Sequence, residues 1–129
     1  MESSSPLSVV QACLKAYVDK DRAAIEALIG SDYRFTSPLD NGLDRETYFE
    51  RCWPNSESAA AFDLIYGVEK GERAFVTYEL RSVDGKRFRN TEIHTVADGK
   101  LRATEVYFGW NLPHPAAKGG FVDPPAGDA

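Results

Sequence analysis

The sequence contains little of what disulfide frameworks and metal sites are built from. Only two of its 129 residues are cysteine and only two are histidine. Cys13 and Cys52 are far apart and lie beside apolar neighbours, which is not the spacing of a disulfide scaffold or a zinc site. His94 and His114 are equally isolated. We therefore expect both cysteines to be buried, reduced packing residues, and we expect neither a metal nor a cofactor.

The sequence also lacks a basic excess and a long apolar run. Fifteen basic residues are scattered among twenty acidic ones, and the net charge is -5, so no stripe suited to a phosphate backbone is visible. No apolar run approaches the ~18 residues of a membrane span. The start, MESSSPLSVV, lacks the basic head and the apolar segment of a signal peptide. These features predict a cytoplasmic protein with no nucleic-acid and no membrane partner.

The composition that remains is that of one globular domain. Hydrophobic residues make up 43% of the chain and charged residues 27%, which suits a single core. We expect residues 1–112 to form this domain. Residues 113–129 are rich in proline and glycine and predict a tail that is flexible or loosely docked over the domain.

Capping signals in the first half of the chain predict three helices. Ser5 followed by Pro6 is typical of a helix start, and Asp21 and Asp44 are suitable caps for a second and a third helix. The segment Tyr33 to Ser37 alternates between apolar and polar residues and predicts a strand before the third helix.

From Phe62 onward the pattern changes to a β meander. The runs FDLIYGV, AFVTYELRS, RFRNTEIHTV and LRATEVYFGW are separated by EKGE, VDGK and ADGK. The two Asp-Gly pairs predict two-residue hairpin turns, because both central positions of a type I′ turn need positive φ. Three helices followed by at least four strands predict an α+β fold, in which the helices pack on a strongly curved antiparallel sheet that forms a cone.

The predicted turns determine which residues face each other. A two-residue turn at Asp98-Gly99 places Glu92 opposite Glu105. At ~6 Å and an effective dielectric constant of ~20, the two carboxylates would repel by about 3 kcal/mol. One of them would then keep a proton, and the pair would supply a general acid and a general base. The remaining residues of the same predicted face are Phe75, Thr77, Glu79, Arg81, Phe88, Asn90, His94 and Tyr107.

The opposite predicted face is the more apolar one. It carries Ala74, Val76, Tyr78, Leu80, Ile93, Val106, Phe108 and Trp110. From alternation alone this face could equally form the core, which would leave Glu92 and Glu105 on a solvated surface. A histidine on a strand, such as His94, is more often a structural residue than a catalyst. The pattern leaves both interpretations open.

The order of elements and the closing motif ADGKLRATEVYFGW resemble the nuclear transport factor 2-like superfamily, in particular its SnoaL-like and ketosteroid-isomerase-like branches. VDKDRAAIEALIGSDYRFTSP resembles the family's helix-turn-helix running into a strand, and GKL…VYFG resembles its last strand. The resemblance covers roughly Val9 to Trp110. It implies a cone-shaped, cystatin-like α+β barrel whose concave side binds a small, mostly apolar molecule, and it implies a homodimer formed through the sheet.

Under this resemblance, the predicted face of Glu92 looks into the pocket. Glu92 and Glu105 are then the candidate catalytic residues. The candidate ligand contacts are Tyr17, Phe75, Asn90, His94, Tyr107 and Trp53. The expected homodimer surface consists of Val76, Tyr78, Leu80, Val106 and Phe108.

The chain departs from the resembled branches at several functional positions. In the isomerases, the aspartate that acts as general base stands before a proline, and the matching position in this chain is Ser37. The tyrosine that stabilises their oxyanion matches a position near Leu14, and Tyr17 lies one helical turn further along. Their second acid matches Glu92. The cyclases place an acidic residue where this chain has Gly109. Ketosteroid isomerisation is therefore not expected, and any chemistry depends on the glutamate pair.

Three functions remain open from the sequence. The first is an acid–base isomerase, cyclase or hydrolase that acts on a small hydrophobic substrate. The second is a binding protein that holds a ligand in the same pocket without changing it. The third is a dimeric interaction module without enzymatic activity.

Overall fold

A computed structural model describes residues 5–123 of the chain. Within these residues, three α-helices form one layer of the molecule. Helix α1 spans Pro6–Asp19, α2 spans Arg22–Leu28 and α3 spans Arg45–Arg51. The side chains of Ser5, Asp21 and Asp44 each accept a backbone N–H from the residue three positions later, which confirms the predicted helix caps.

Six strands within the same described range form the second layer. They are β1 Ile29–Ser37, β2 Asp40–Leu43, β3 Ala59–Lys70, β4 Arg73–Ser82, β5 Arg87–Ala97 and β6 Lys100–Leu112. A 3₁₀ helix at Trp53–Ser58 leads into β3. The strand order is β2-β1-β6-β5-β4-β3, and every pair is antiparallel except β1 with β6. The predicted α+β cone is confirmed, and the short strand β2 is an element that the sequence analysis did not include.

The core lies between the helices and the concave face of the sheet. Val10, Ile25, Tyr33 and Val76 are buried there almost completely. The sheet is curved but does not close into a barrel, and bulges in β3 and β6 contribute to its bending. The helices therefore cover the concave side of the sheet.

The β4–β5 hairpin has a longer loop than predicted. The loop contains three residues, Val83 to Gly85, with Gly85 at a φ of 90°, and the Ser82 N–H donates to the Lys86 carbonyl at 2.8 Å. A three-residue loop with glycine in the left-handed region is a common hairpin connection. It shifts the register by one residue, so that Glu92 lies opposite Val76 instead of Thr77. Every side chain of β4 consequently faces the side opposite to the predicted one.

The β5–β6 hairpin begins as predicted and then changes register. Asp98 and Gly99 both have positive φ, and the residue pairs next to the turn are the predicted ones. An extra residue, Arg102, then forms a bulge, after which Glu92 lies opposite Val106. Glu105 lies on the convex face. The prediction that the two glutamates oppose each other is therefore wrong.

After β6, residues 113–123 contain no helix and no strand. Phe121 in this segment is 82% exposed. Residues 124–129, the end of the predicted tail, lie outside the described part of the chain, as do residues 1–4. No helix within residues 5–123 is both long enough and apolar enough to cross a membrane.

Candidate functional site

A cavity of about 610 Å³ lies between the helices and the concave face of the sheet. Its walls are mainly aromatic and aliphatic, and they include Val10, Leu14, Ile25, Phe35, Phe62 and Leu101. Pockets of this size and character bind small molecules, with a few polar groups fixing their orientation. The arrangement of the polar groups therefore determines what this cavity can do.

One row of polar side chains enters the cavity from β5. Asn90, Glu92 and His94 alternate along the strand, so they point to the same side. The Glu92 side chain is 13% exposed and the His94 side chain 5%. The neighbours of Glu92 on the adjacent strands are Val76 and Val106, so this carboxylate enters an apolar surface without a second acid beside it.

Both oxygens of Glu92 have hydrogen-bond partners. Oε1 lies 2.8 Å from His94 Nε2, and Oε2 accepts a hydrogen bond from the Tyr78 hydroxyl at 2.6 Å. Burial raises the pKa of Tyr78 well above its usual value, and the charge of Glu92 raises it further. Tyr78 is therefore a protonated donor at neutral pH.

The hydrogen-bond network continues beyond these groups. The Asn90 amide donates to the Tyr78 hydroxyl at 3.4 Å, and His94 Nδ1 lies 2.9 Å from Thr104 Oγ1. Thr104 faces His94 because the bulge at Arg102 has shifted the register of β6. The whole network is held by strands of the sheet, which are more rigid supports than loops.

A second polar group enters the cavity from the helices. The hydroxyls of Tyr17 on α1 and Tyr48 on α3 are hydrogen-bonded to each other. Burial raises the pKa of both, so both hydroxyls keep their protons. Their mutual hydrogen bond uses one of the two protons, which leaves the other for an acceptor atom in the cavity.

A second carboxylate, Asp40, lines the cavity at the start of β2. Its side chain is 13% exposed; Oδ2 accepts a hydrogen bond from the Ser37 hydroxyl at 2.9 Å, and Arg51 Nε lies 3.4 Å from Oδ1. Asp40 was not among the predicted site residues. Its signal was present, because Asp40 stands three residues after Ser37, the position where the resembled isomerases carry their base.

The two cysteines are free thiols. Burial and then the charge of Glu92 raise the pKa of Cys13 from 9.0 to about 12, and burial raises the pKa of the half-buried Cys52 to about 11. Both thiols are therefore protonated and poorly nucleophilic at neutral pH. Among residues 5–123, no three or more acidic, histidine or cysteine side chains are grouped as metal ligands would be.

Four of the predicted site residues line the cavity. They are Tyr17, Asn90, Glu92 and His94. The predicted ligand contact Trp53 is not part of the cavity wall; its ring instead packs edge-on against Tyr17, with ring centroids 5.0 Å apart.

Three other predicted site residues lie on the convex face. Glu105 accepts a hydrogen bond from the hydroxyl of Tyr107 at 2.8 Å, and Tyr107 is 53% exposed. Phe75 pairs with Ile93 on the same outer side of the sheet. The shifted registers of the two hairpins account for all three errors, because a slip of one residue reverses the side to which a side chain points.

The surface predicted for a homodimer is also misplaced. Val76, Tyr78 and Val106 are buried in the concave interior, while Leu80 and Phe108 line the cavity. The expectation that these five residues form an outer dimer surface is wrong.

Comparisons with known proteins relate the chain to others through its structure. No protein-family model matches the sequence, and the search of curated proteins gave no significant match. Among solved structures, a candidate ketosteroid isomerase from Kribbella flavida DSM 17836 is similar with a TM-score of 0.69 and 14% identity, covering 95% of this chain and 91% of that one.

Two further solved structures are similar to this chain in fold. IdmH, a candidate polyketide cyclase from Streptomyces antibioticus, has a TM-score of 0.67 and 16% identity, over 80% of this chain and 91% of its own. An NTF2-like protein of unknown function from Cytophaga hutchinsonii ATCC 33406 has a TM-score of 0.65 and 17% identity, over 84% of this chain and 94% of its own. The chain therefore has the cone-shaped fold of the nuclear transport factor 2-like proteins.

Proposed function

We propose that the cavity binds a small, mostly apolar molecule that carries an oxygen acceptor, and that Glu92 together with His94 moves a proton on this molecule. The observation that carries the proposal is a buried carboxylate, hydrogen-bonded to His94 and Tyr78, at the wall of an otherwise apolar cavity. The candidate isomerase and candidate cyclase activities named for two structural neighbours support acid–base chemistry in this fold.

Each polar group has a distinct role in this proposal. Glu92 accepts a proton from the bound molecule, because two hydrogen bonds hold its carboxylate at the wall of a mostly apolar cavity. The free hydroxyl proton of the Tyr17–Tyr48 pair stabilises negative charge that develops on the oxygen of the ligand. His94 shares the proton taken up by Glu92, because its Nε2 lies within hydrogen-bonding distance of Oε1.

The test is hydrogen exchange in a small apolar cyclic ketone incubated with the protein in D₂O. We expect the protein to accelerate deuterium incorporation next to the carbonyl and Glu92→Gln to reduce that acceleration by about 10²- to 10⁴-fold. The matched control is Glu105→Gln, which changes a glutamate on the convex face and should leave exchange unchanged. If Asp40→Asn abolishes exchange and Glu92→Gln does not, the proton acceptor is Asp40 and the assignment to Glu92 is wrong.

A binding protein without turnover is the second candidate function. It is favoured by the fact that both oxygens of Glu92 already have partners within the protein. In that case the ketone should raise the melting temperature in proportion to the logarithm of its concentration and should be recovered without deuterium. Exchange that depends on Glu92 would exclude this function.

We also propose a homodimer that uses the convex face. Tyr66 and Val68 on β3 and Tyr107 on β6 are more than half exposed on this face, and Phe75 and Ile93 lie between them. Native mass spectrometry should show a dimer that Val68→Glu converts to a monomer. Val83→Glu is the control, because Val83 is equally exposed but lies in the β4–β5 loop. A wild-type monomer at micromolar concentration would contradict the dimer.

A further inference from the structure

Strand β6 bulges a second time where it passes Asn90. Asn90 pairs with Phe108 whereas Phe88 pairs with Asn111, so β6 contains one additional residue in this interval. At the bulge, the Gly109 N–H donates to Asn90 Oδ1 at 3.2 Å. A Cβ atom at position 109 would lie 2.2 Å from the carbonyl oxygen of Arg89, so this close approach requires glycine.

The hydrogen bonds that start at this bulge have a fixed direction. A backbone N–H can only donate, so Asn90 Oδ1 is the acceptor and the amide nitrogen must point the other way, to the Tyr78 oxygen 3.4 Å away. An amide nitrogen also only donates, so Tyr78 accepts from Asn90. The single hydroxyl proton of Tyr78 then goes to Glu92 Oε2, at 2.6 Å.

We infer that Asn90 is a positioning residue that, oriented by the Gly109 N–H, makes Tyr78 a permanent donor to Glu92. The inference rests on the proposed function, because holding Glu92 as an acceptor matters only if this carboxylate takes up a proton. Because Oε2 remains a hydrogen-bond acceptor, the proton that Glu92 takes up binds at Oε1, the oxygen next to His94. Asn90 acts on Glu92 through the Tyr78 hydroxyl rather than by touching the bound molecule.

The consequence is a specific change in the protonation of Glu92. Without Asn90, the Tyr78 hydroxyl is free to turn and accept a hydrogen bond from a protonated Glu92. The neutral form of Glu92 then becomes more favourable, and the pH at which Glu92 takes up its proton rises. Without the Tyr78 hydroxyl, no hydrogen bond connects Asn90 to Glu92. Replacing Asn90 in that background should therefore not change the protonation of Glu92 any further.

The experiment is a ¹³C NMR titration of the Glu92 carboxyl group in the full-length protein. We expect Asn90→Leu to raise the titration midpoint by roughly 0.5 pH unit or more and Tyr78→Phe to raise it by about 1 unit. In the double variant, the midpoint should agree with that of Tyr78→Phe to within ~0.2 unit. A role of Asn90 in general packing would instead give the same shift with and without the Tyr78 hydroxyl.

Other titratable groups close to Glu92 have to be followed in the same titration. They are His94 on β5, Tyr78 on β4, Cys13 and Tyr17 on α1, and Tyr33 on β1. Histidine is the residue type among these that ordinarily titrates nearest to a carboxylate, so the ring signals of His94 are recorded in parallel. His114→Gln removes the second histidine and assigns those signals.

The outcomes separate this inference from the proposed function, because the titration needs no substrate. An unchanged midpoint in Asn90→Leu, or an equal shift in the Tyr78→Phe background, would overturn the role of Asn90 even if ketone exchange depends on Glu92. If Asn90→Leu does not fold, as judged by its ¹H–¹⁵N spectrum, Asn90→Val replaces it with the same expectations.

Discussion

At the scale of single residues, the site is defined by how Glu92 is surrounded. Its two neighbours across the sheet are valines, and its two hydrogen-bond partners are Tyr78 and His94. A buried carboxylate without such partners would cost several kcal/mol, so these contacts are needed to keep the charged form inside the fold. The same contacts hold the carboxylate at the cavity wall, as the proposed proton transfer requires.

The Tyr78 hydroxyl should contribute measurably to stability. Tyr78→Phe leaves Glu92 Oε2 and the Asn90 amide without their shared partner, and both Tyr78 and Asn90 are buried. We expect the free energy of unfolding, measured by urea denaturation, to fall by about 1–3 kcal/mol. Tyr107→Phe is the control, because it removes a hydroxyl that bonds Glu105 on the exposed face, and it should cost less than ~0.5 kcal/mol. Equal losses of unfolding free energy in the two variants would contradict the expectation that the buried hydroxyl contributes more than the exposed one.

At the scale of elements, β6 determines the composition of the site. Its bulge at Arg102 places Thr104 and Val106 on the concave side, and its bulge at Gly109 brings a backbone N–H to Asn90. Arg102 also bonds Asp32 on β1, which connects this bulge to the neighbouring strand. The first bulge thus selects the side chains that meet Glu92 and His94, and the second bulge supplies the backbone donor to Asn90.

The second bulge predicts a difference between two glycine substitutions. Gly109→Ala places a Cβ 2.2 Å from a carbonyl oxygen of the backbone, which has to move, so we expect a loss of roughly 1–3 kcal/mol in unfolding free energy. The control is Gly67→Ala on β3, where the new Cβ would lie 3.1 Å from the flexible end of Leu7. That variant should lose less than about 1 kcal/mol. Similar values for both would show that the close approach at Gly109 is not a constraint.

At the scale of the whole molecule, one cavity is lined by most of the buried titratable groups of residues 5–123. Burial raises the pKa values of Tyr17, Tyr33, Tyr48 and Tyr78, and it raises that of Cys13 to about 12. All of these groups are neutral when protonated. The folded chain therefore retains protons that the unfolded chain would release in alkaline solution.

The global stability should decrease in alkaline solution for this reason. A pKa that is raised on folding gives stability that is complete below the unfolded value, about 9.0 for Cys13, and that is lost as the pH rises toward the folded value. Each such group contributes a slope of up to about 1.4 kcal/mol per pH unit. Cys13→Ala should therefore show a smaller loss of unfolding free energy between pH 9 and pH 10 than the wild type. Identical slopes would mean that Cys13 is not protected from ionisation.

Local signals in the sequence determined the helices and the approximate strands. Ser5, Asp21 and Asp44 cap the three helices because a short polar side chain can bond the free N–H groups of the first turn, which is a matter of neighbouring residues alone. The Asp98-Gly99 turn followed from the positive φ that both positions require. The resemblance predicted a cone with a pocket on the side of Glu92, and this residue does line the cavity.

The strand registers, and with them the composition of the site, were decided only by the tertiary structure. The residues around Asp84-Gly85 are compatible with a two-residue loop and with a three-residue loop. The residues near Arg102 contain no signal that predicts a bulge. The choice is made by the sheet as a whole, because only the shifted registers place Val76 and Val106 inside together with Glu92 and leave Glu105 in water. The sequence by itself determined which segments form helices and strands, whereas packing between distant strands determined which side chains share the cavity.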